Sequence, residues 1–256
     1  MTTLEVFALA ASAAAAGAIN AIAGGGTLIT FPVLLLFHTP ANVANATSTL
    51  ALVLGTSGSI FGYRKQLVEV RSWLSRFLPV SLVGGLLGSI LLTSTKNETF
   101  ERMVPYLLLF ATILFLSQNV FRSFAASDQS GKPKHHAIFA AILFQFLVAI
   151  YGGYFGAGIG ILMLASLGFI GFTDIHQMNS LKTVLGSLIN LVAAVWFTYS
   201  GLVYWPKALV MTVGAIIGYY LGSHFAQSIP QKRVRQIITG IGLLISAVMF
   251  YRQFRG

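Results

Sequence analysis

The sequence predicts an all-α membrane protein built from two internal repeats. Of its 256 residues, 56% are hydrophobic and only 9% are charged, a balance that leaves too little polar surface for a water-soluble domain. The apolar runs extend over about 20 residues each, the length that a helix needs to cross the ~30 Å hydrocarbon layer. A glycine-interrupted pattern also occurs twice along the chain. These observations together predict a multi-pass helical bundle in two related halves.

Each predicted helix is an apolar run bounded by polar, glycine or proline residues. We expect full-length spans at 4–23, 42–63, 73–93, 101–121, 137–155, 176–199, 204–225 and 233–251. Two shorter helices, at 27–37 and 159–171, follow glycine-rich interruptions. At 1.5 Å per residue they are only about 16 to 20 Å long, so they are expected to cross part of the bilayer or to re-enter it. The first span has no basic segment before it and carries Glu5, so we expect it to be retained rather than cleaved as a signal peptide.

The repeat is visible around the two glycine interruptions. The chain contains INAIAGGGTLITFPVLLLF and, about 130 residues later, VAIYGGYFGAGIGILMLASLGF, each followed by a polar patch within an apolar stretch. Further on, GGLLG at 84–88 corresponds to GAIIG at 214–218. The aligned pairs are Gly24 with Gly156, Gly26 with Gly158, Asn45 with Asn179 and Thr49 with Thr183.

The distribution of basic residues predicts the topology. Although the net charge is +10, the Lys and Arg residues lie mostly at span ends, which argues against a nucleic-acid partner and for a lipid bilayer. If the short helices count as crossings, three basic loops share the cytoplasmic face and the halves are inverted, five segments each. The alternative is four spans in each half and parallel repeats. The predicted units are the first repeat at 1–121, a cytoplasmic linker at 122–136 and the second repeat at 137–256, together forming one integrated transmembrane domain.

The polar patches are candidates for a substrate site. Lys182 lies about seven residues into a predicted span, at a depth of roughly 10 Å, where an unpaired ammonium costs at least ~2.5 kcal/mol. Asn179 and Thr183 can share its helix face, and Asn45 and Thr49 repeat this spacing with Ser48 in place of the lysine. A bound anion would offset the cost of the ammonium. The alternatives are a lysine that extends to the headgroups and polar side chains that only join helices.

The glycine interruptions are the second part of the candidate site. Backbone N–H groups at the start of a half-helix carry partial positive charge and favour anions. The alternative is close helix packing through small residues. The candidate residues in and beside the interruptions are Asn20, Gly25, Gly26, Thr27, Gly156 and Gly158.

Enzymatic and metal-dependent functions have little support in the sequence. The string GTSG at 55–58, with Ser57 and a distant His224, matches the GxSG pattern of intramembrane serine proteases, but four common residues match easily by chance. The chain has no cysteine, no HExxH motif and no histidines at ligand spacing. We therefore expect no enzyme activity, no cofactor and no metal site.

The segments IAGGGTLITFPVLL and TPANVANATS, the second glycine break and the linker between repeats together resemble the sulfite exporter TauE/SafE family. The resemblance extends over almost the whole chain. It implies transport of a small sulfur-containing or organic anion, such as sulfite, sulfoacetate or a related sulfonate, across the bacterial inner membrane. Some relatives carry a basic residue in the first-half patch, where this chain has Ser48 and instead places Lys182 in the second half.

The acidic residues bear on the transport mechanism. All six lie in predicted loops or at span ends, so a buried carboxylate relay for protons is not expected. An anion leaving a negative-inside cell gains about 2.3 kcal/mol per charge per 100 mV, so export needs no coupling ion. We therefore expect export by alternating access around a midplane site, with a passive anion channel as the alternative. The identity of the anion, and whether the protein forms a homo-oligomer, are left open.

Overall fold

The computed structural model describes residues 1–22, 25–56, 70–127, 135–169, 172, 174–225 and 231–255. In this part of the chain, the ordered elements are all α-helices. They are α1 (Thr3–Ile22), α2 (Thr27–Leu36), α3 (Ala41–Thr56), α4 (Arg71–Ser94), α5 (Asn97–Ser127), α6 (His135–Tyr154), α7 (Ile159–Phe169), α8 (Ile175–Tyr199), α9 (Trp205–Phe225) and α10 (Gln231–Arg255). The predicted all-α fold class is confirmed.

The helix boundaries lie within a few residues of those expected, wherever the structure describes them. Both half-length helices, α2 and α7, form directly after the glycine breaks. The predicted span 42–63 is described only as far as Thr56, and the predicted linker begins inside α5, which continues to Ser127. Residues 128–134 lie outside the described residues, so the division into repeats and linker stays a prediction.

Three of the described helices are long and apolar enough to cross a membrane. They cover Thr3–Ala21, Arg71–Ser94 and Gln177–Tyr199. Shorter apolar helices cover Thr27–Leu36, Ile138–Tyr154, Ile159–Gly168 and Thr239–Tyr251. This pattern agrees with a membrane protein that combines full-length and partial crossings.

Helices from the two predicted halves pack against each other. The first helix of each half lies against the fourth helix of the other, since α1 packs on α9 and α6 packs on α4. The third helices, α3 and α8, contact each other, as do the fifth helices, α5 and α10. The structure therefore interlocks the N-terminal and C-terminal parts of the chain.

Glycines allow two of these helix pairs to approach closely. In α9, a Cβ atom on Gly214 or Gly218 would overlap a backbone carbonyl oxygen of α1, at Ala10 or Ala14. In α4, a Cβ atom on Gly88 would overlap the carbonyl oxygen of Ile150 in α6. Close backbone approach is the usual role of small residues in membrane helices. The GGLLG and GAIIG segments are thus packing surfaces.

The aromatic core places the half-helices beside the second glycine break. The ring of Phe31 in α2 meets the ring of Phe155 edge-on, with the centroids 5.5 Å apart, and Phe100 of α5 meets Tyr154 at the same distance. All four side chains are buried. The first half-helix is therefore held directly against the residues where α6 ends and the second break begins.

A polar cluster holds the far end of α2. The Lys207 ammonium of α9 donates to the Phe37 carbonyl at 3.2 Å and to the Thr39 hydroxyl at 2.9 Å, and it pairs with Glu5 of α1 at 2.7 Å. Lys207 thus satisfies a carbonyl at the end of the half-helix, where no intrahelical donor is available. This cluster joins α1, α2 and α9 at one end of the bundle.

Candidate functional site

The first glycine break is closed by its own neighbours. The backbone at Gly25 has φ +95°, and the N–H group of Gly26 donates to the Asn20 side-chain oxygen at 2.8 Å. A Cβ atom on Gly26 would lie 2.7 Å from the Ala16 carbonyl oxygen, so no larger residue fits. The amide oxygen of Asn20 thus accepts a hydrogen bond from the Gly26 N–H group, which is therefore satisfied by a side chain of the preceding helix. Gly24 lies outside the described residues.

A hydroxyl pair connects the first break with the first polar patch. The Thr30 hydroxyl of α2 and the Ser48 hydroxyl of α3 lie 2.6 Å apart, and both side chains are fully buried. The Thr30 hydroxyl also lies 3.3 Å from the Gly26 carbonyl oxygen. Ser48 therefore joins α2 to α3. This is the helix-joining role that the sequence left open for it.

The second break has a different construction. The backbone turns through Gly156 at φ +81° and Gly158 at φ +79°, a region that residues with a side chain rarely adopt. The Tyr151 hydroxyl donates to the Ala157 carbonyl at 2.7 Å and braces the turn. Helix α7 then begins at Ile159, so its first N–H groups lie at the break and carry the positive end of the helix dipole.

Lys182 lies against the start of α7. Its Cδ and Cγ atoms are 3.1 and 3.4 Å from the position that a Cβ atom would take on Gly160. The side chain is half-buried. The methylene stem therefore packs over the first turn of the second half-helix, and a side chain at 160 would push it aside by a few tenths of an ångström. The lysine of the second polar patch and the second glycine break thus form one structural unit.

Asn45 reaches from the first half to the second break. Its side-chain N–H group donates to the Tyr154 carbonyl at 2.9 Å, at the last residue of α6, and the residue is 1% exposed. A carbonyl can only accept, so this contact also determines which end of the amide is oxygen. That oxygen accepts no hydrogen bond from the described part of the chain. A buried acceptor left in this way costs about 1–3 kcal/mol.

The comparisons with known proteins agree with this architecture. A model of the sulfite exporter TauE/SafE family matches residues 9–249. The chain belongs to this family. The matched region contains both glycine breaks and both polar patches. Membership of this family, together with the curated relatives, supports a function as a membrane transporter. The resemblance inferred from the sequence motifs is therefore confirmed.

Curated relatives of this TauE/SafE chain extend over most of its length. It is 30% identical over 238 residues to a probable membrane transporter protein of Haemophilus influenzae, covering 92% of this chain and 90% of that one. It is 27% identical to the probable membrane transporter protein YfcA of Escherichia coli, covering 92% and 86% of the two chains. A probable membrane transporter protein of Bacillus subtilis, YunE, is 24% identical with 92% and 94% covered. No solved structure was found to match.

The other predicted site residues lie on α2, α3 and α8 or in the second glycine break. Asn179 and Thr183 are half-buried on α8 beside Lys182, and Thr49 is half-buried one turn after Asn45. Thr27 is the first residue of α2. Gly158 has a different neighbourhood, because a Cβ atom there would point at Ala111 and Leu114 of α5. It therefore borders α5, and its role as a ligand-binding residue stays a prediction.

Three polar residues near the breaks were not singled out from the sequence. Thr30 and Tyr151 brace the two breaks as described, and the Asn190 side-chain oxygen lies 3.4 Å from the Cβ position of Gly156. Of these three residues, Asn190 could have been found from the sequence, because it is a polar residue within the apolar run SLINLVAAV. It lies two turns after Lys182 on α8, so one helix contributes polar groups to both ends of the second break.

The residues of the protease alternative give it no support. Ser57 lies outside the described residues. His224 is exposed, and its ring nitrogen lies 3.1 Å from the Tyr220 carbonyl one turn earlier in α9, with the two rings 4.4 Å apart. The imidazole is thus engaged on its own helix surface.

Proposed function

We propose that this protein is a secondary carrier of small anions, such as sulfite or a related sulfonate, in the bacterial inner membrane. The observation that carries the proposal is the packing of Lys182 over the first turn of α7. The Lys182 Cε atom, which carries the ammonium, lies 3.8 Å from the Cβ position of Gly160. Its charge therefore adds to the positive end of the half-helix dipole. Lysine and helix N-terminus together favour one small oxyanion at the second break.

The distribution of acids supports an anionic substrate. Among the described residues, Glu98 and Glu101 lie in the first turns of α5, Asp174 directly precedes α8, and Glu5 pairs with Lys207 at the far end of α2. Residues 155–158, which form the second break, include no acidic residue. The break itself therefore places no carboxylate beside the positive end of the α7 dipole.

The interlocking of the halves supports a carrier with alternating access. Asn45 of α3 bonds the Tyr154 carbonyl in the other half, and Phe31 of α2 packs on Phe155. A rocking movement of one half against the other would open the site at one membrane face and close it at the other. Export follows from the membrane potential, which drives an anion outward by about 2.3 kcal/mol per charge per 100 mV.

The test is transport of labelled sulfite into proteoliposomes with the variant Lys182→Gln. The glutamine keeps most of the stem over Gly160 and removes the charge, so we expect the transport rate to fall about ten- to hundredfold, the range for losing a charged hydrogen bond. Lys96→Gln is the matched control, because Lys96 is exposed between α4 and α5. Equal transport by the two variants would contradict the proposal.

A second measurement separates a carrier from a passive channel. Vesicles preloaded with unlabelled sulfite should accumulate labelled sulfite transiently, since a carrier exchanges one anion for another. A channel equilibrates without this counterflow and does not saturate. An inside-positive potential should speed uptake by the carrier, because the transported species is negative.

A further inference from the structure

The Asn45 amide oxygen is a buried acceptor beside the second glycine break. The side chain is 1% exposed, its nitrogen is committed to the Tyr154 carbonyl, and its oxygen has no partner in the described part of the chain. Tyr154 is the residue where α6 ends, directly before the break that leads into α7. The oxygen is therefore fixed at the edge of the break, with its orientation determined by the bond that its own nitrogen makes.

We propose that Asn45 selects anions that carry a hydrogen-bond donor of their own. This inference rests on the proposed function, and it adds that the transported anion presents an O–H or N–H group to the Asn45 oxygen while Lys182 and the start of α7 receive its negative oxygens. Buried polar groups in native proteins are nearly always paired, so an orphaned one at a ligand site indicates where a ligand group bonds.

The polarity of the amide decides which anions fit. A donor-free anion such as an alkyl sulfonate has only acceptor oxygens, and these repel the Asn45 oxygen. An anion with a hydroxyl, an ammonium or a protonated oxygen satisfies both ends of the site. A site built to bond a substrate O–H or N–H group discriminates against the analogue that lacks it.

The polar side chains around the first glycine break are already satisfied from within the protein. The Asn20 oxygen accepts the Gly26 N–H group, and the Ser48 hydroxyl is paired with Thr30. Ser166 has the other buried side-chain atom without a partner in the described residues, a hydroxyl within α7. It lies seven residues beyond the start of that helix, about 10 Å from the break. Asn45 is thus the orphaned acceptor at the break itself, and Ser166 provides a control.

The experiment compares two sulfonates that differ by one hydroxyl, ethanesulfonate and 2-hydroxyethanesulfonate, as competitors of labelled sulfite uptake in proteoliposomes of the full chain. We expect the hydroxylated anion to compete about three- to tenfold better in the wild type, the range for one hydrogen bond. In Asn45→Leu, which is of similar size and has no acceptor, the ratio should fall to about one. In Ser166→Ala the ratio should stay at the wild-type value.

Each outcome bears on the proposal. Equal competition by the two sulfonates in the wild type overturns the selectivity of Asn45 and leaves the anion carrier standing, as does an unchanged ratio in Asn45→Leu. Failure of the wild type to transport or bind any of these anions overturns both proposals. If Asn45→Leu does not fold, Asn45→Ala replaces it. Equal competition by the two sulfonates in the wild type overturns the proposal without any variant.

Discussion

At the scale of single residues, the second break depends on the absence of a side chain at 160. The Lys182 stem borders the space that a Cβ atom would take at Gly160, with its Cδ atom 3.1 Å away. A contact this short forces the neighbour to shift by a few tenths of an ångström. The lysine would then be displaced from the first turn of α7, although the helix itself tolerates alanine well.

We therefore expect Gly160→Ala to lower the rate of sulfite transport about three- to tenfold while the protein stays folded, because small misplacements of a binding group have large effects on rate. The matched control is Gly186→Ala on α8, where a Cβ atom would meet only Ile159 at an ordinary 3.8 Å. Transport kinetics and thermal unfolding in detergent are measured on both. A fall in transport for Gly186→Ala, or none for Gly160→Ala, would count against this role of the lysine stem.

The sequence predicted some of these residues and missed others for identifiable reasons. Lys182 was found because a lysine within an apolar span is conspicuous, and the glycines because each precedes a half-length apolar run. The contact between Asn45 and Tyr154 joins positions 109 residues apart, so no local pattern reveals it. Gly160 looked like part of a glycine-rich string, and only the packing shows that it accommodates a lysine.

At the scale of helices, the closest contacts are made by glycines that lie four residues apart. Gly214 and Gly218 place α9 against the backbone of α1, and Gly84 and Gly88 place α4 against α6. In a membrane, such pairs gain van der Waals contact that lipid does not supply. The helix boundaries were predictable from apolar length alone, but the partners of these helices were not, since any two membrane helices with small residues are compatible.

We expect Gly218→Leu to prevent stable folding. A side chain at 218 overlaps the Ala14 carbonyl oxygen, and a backbone atom cannot move aside as a flexible side chain does. Overpacking commonly costs about 1–3 kcal/mol, and forcing two backbones apart costs more. The control is Gly240→Leu in α10, where nothing lies within 4 Å of the added Cβ position. Size-exclusion profiles and melting temperatures in detergent test the pair, and a monodisperse Gly218→Leu protein with unchanged melting would refute the expectation.

At the scale of the whole molecule, the two predicted halves exchange helix partners. The first helix of each half packs on the fourth of the other, and the third and fifth helices meet their counterparts. This is the arrangement expected when two copies of one five-helix unit interlock. The repeat and its inverted orientation both stay predictions. Neither half buries its packing surfaces without the other.

The interlocked packing leads to a prediction for the divided chain. Residues 1–127 or 135–256 expressed alone should be degraded or aggregate, because α1, α4, α6 and α9 would each lose the helix they pack against most closely. Expressed together from two messages, the two parts should copurify through a tag on one of them and transport sulfite, since they lack only residues 128–134. Introducing Gly218→Leu into the C-terminal part should abolish copurification, while Gly240→Leu should not. A half that is monodisperse and thermally stable by itself would show that folding does not need the contacts between the halves. Alternating access would then have to come from a movement within one half.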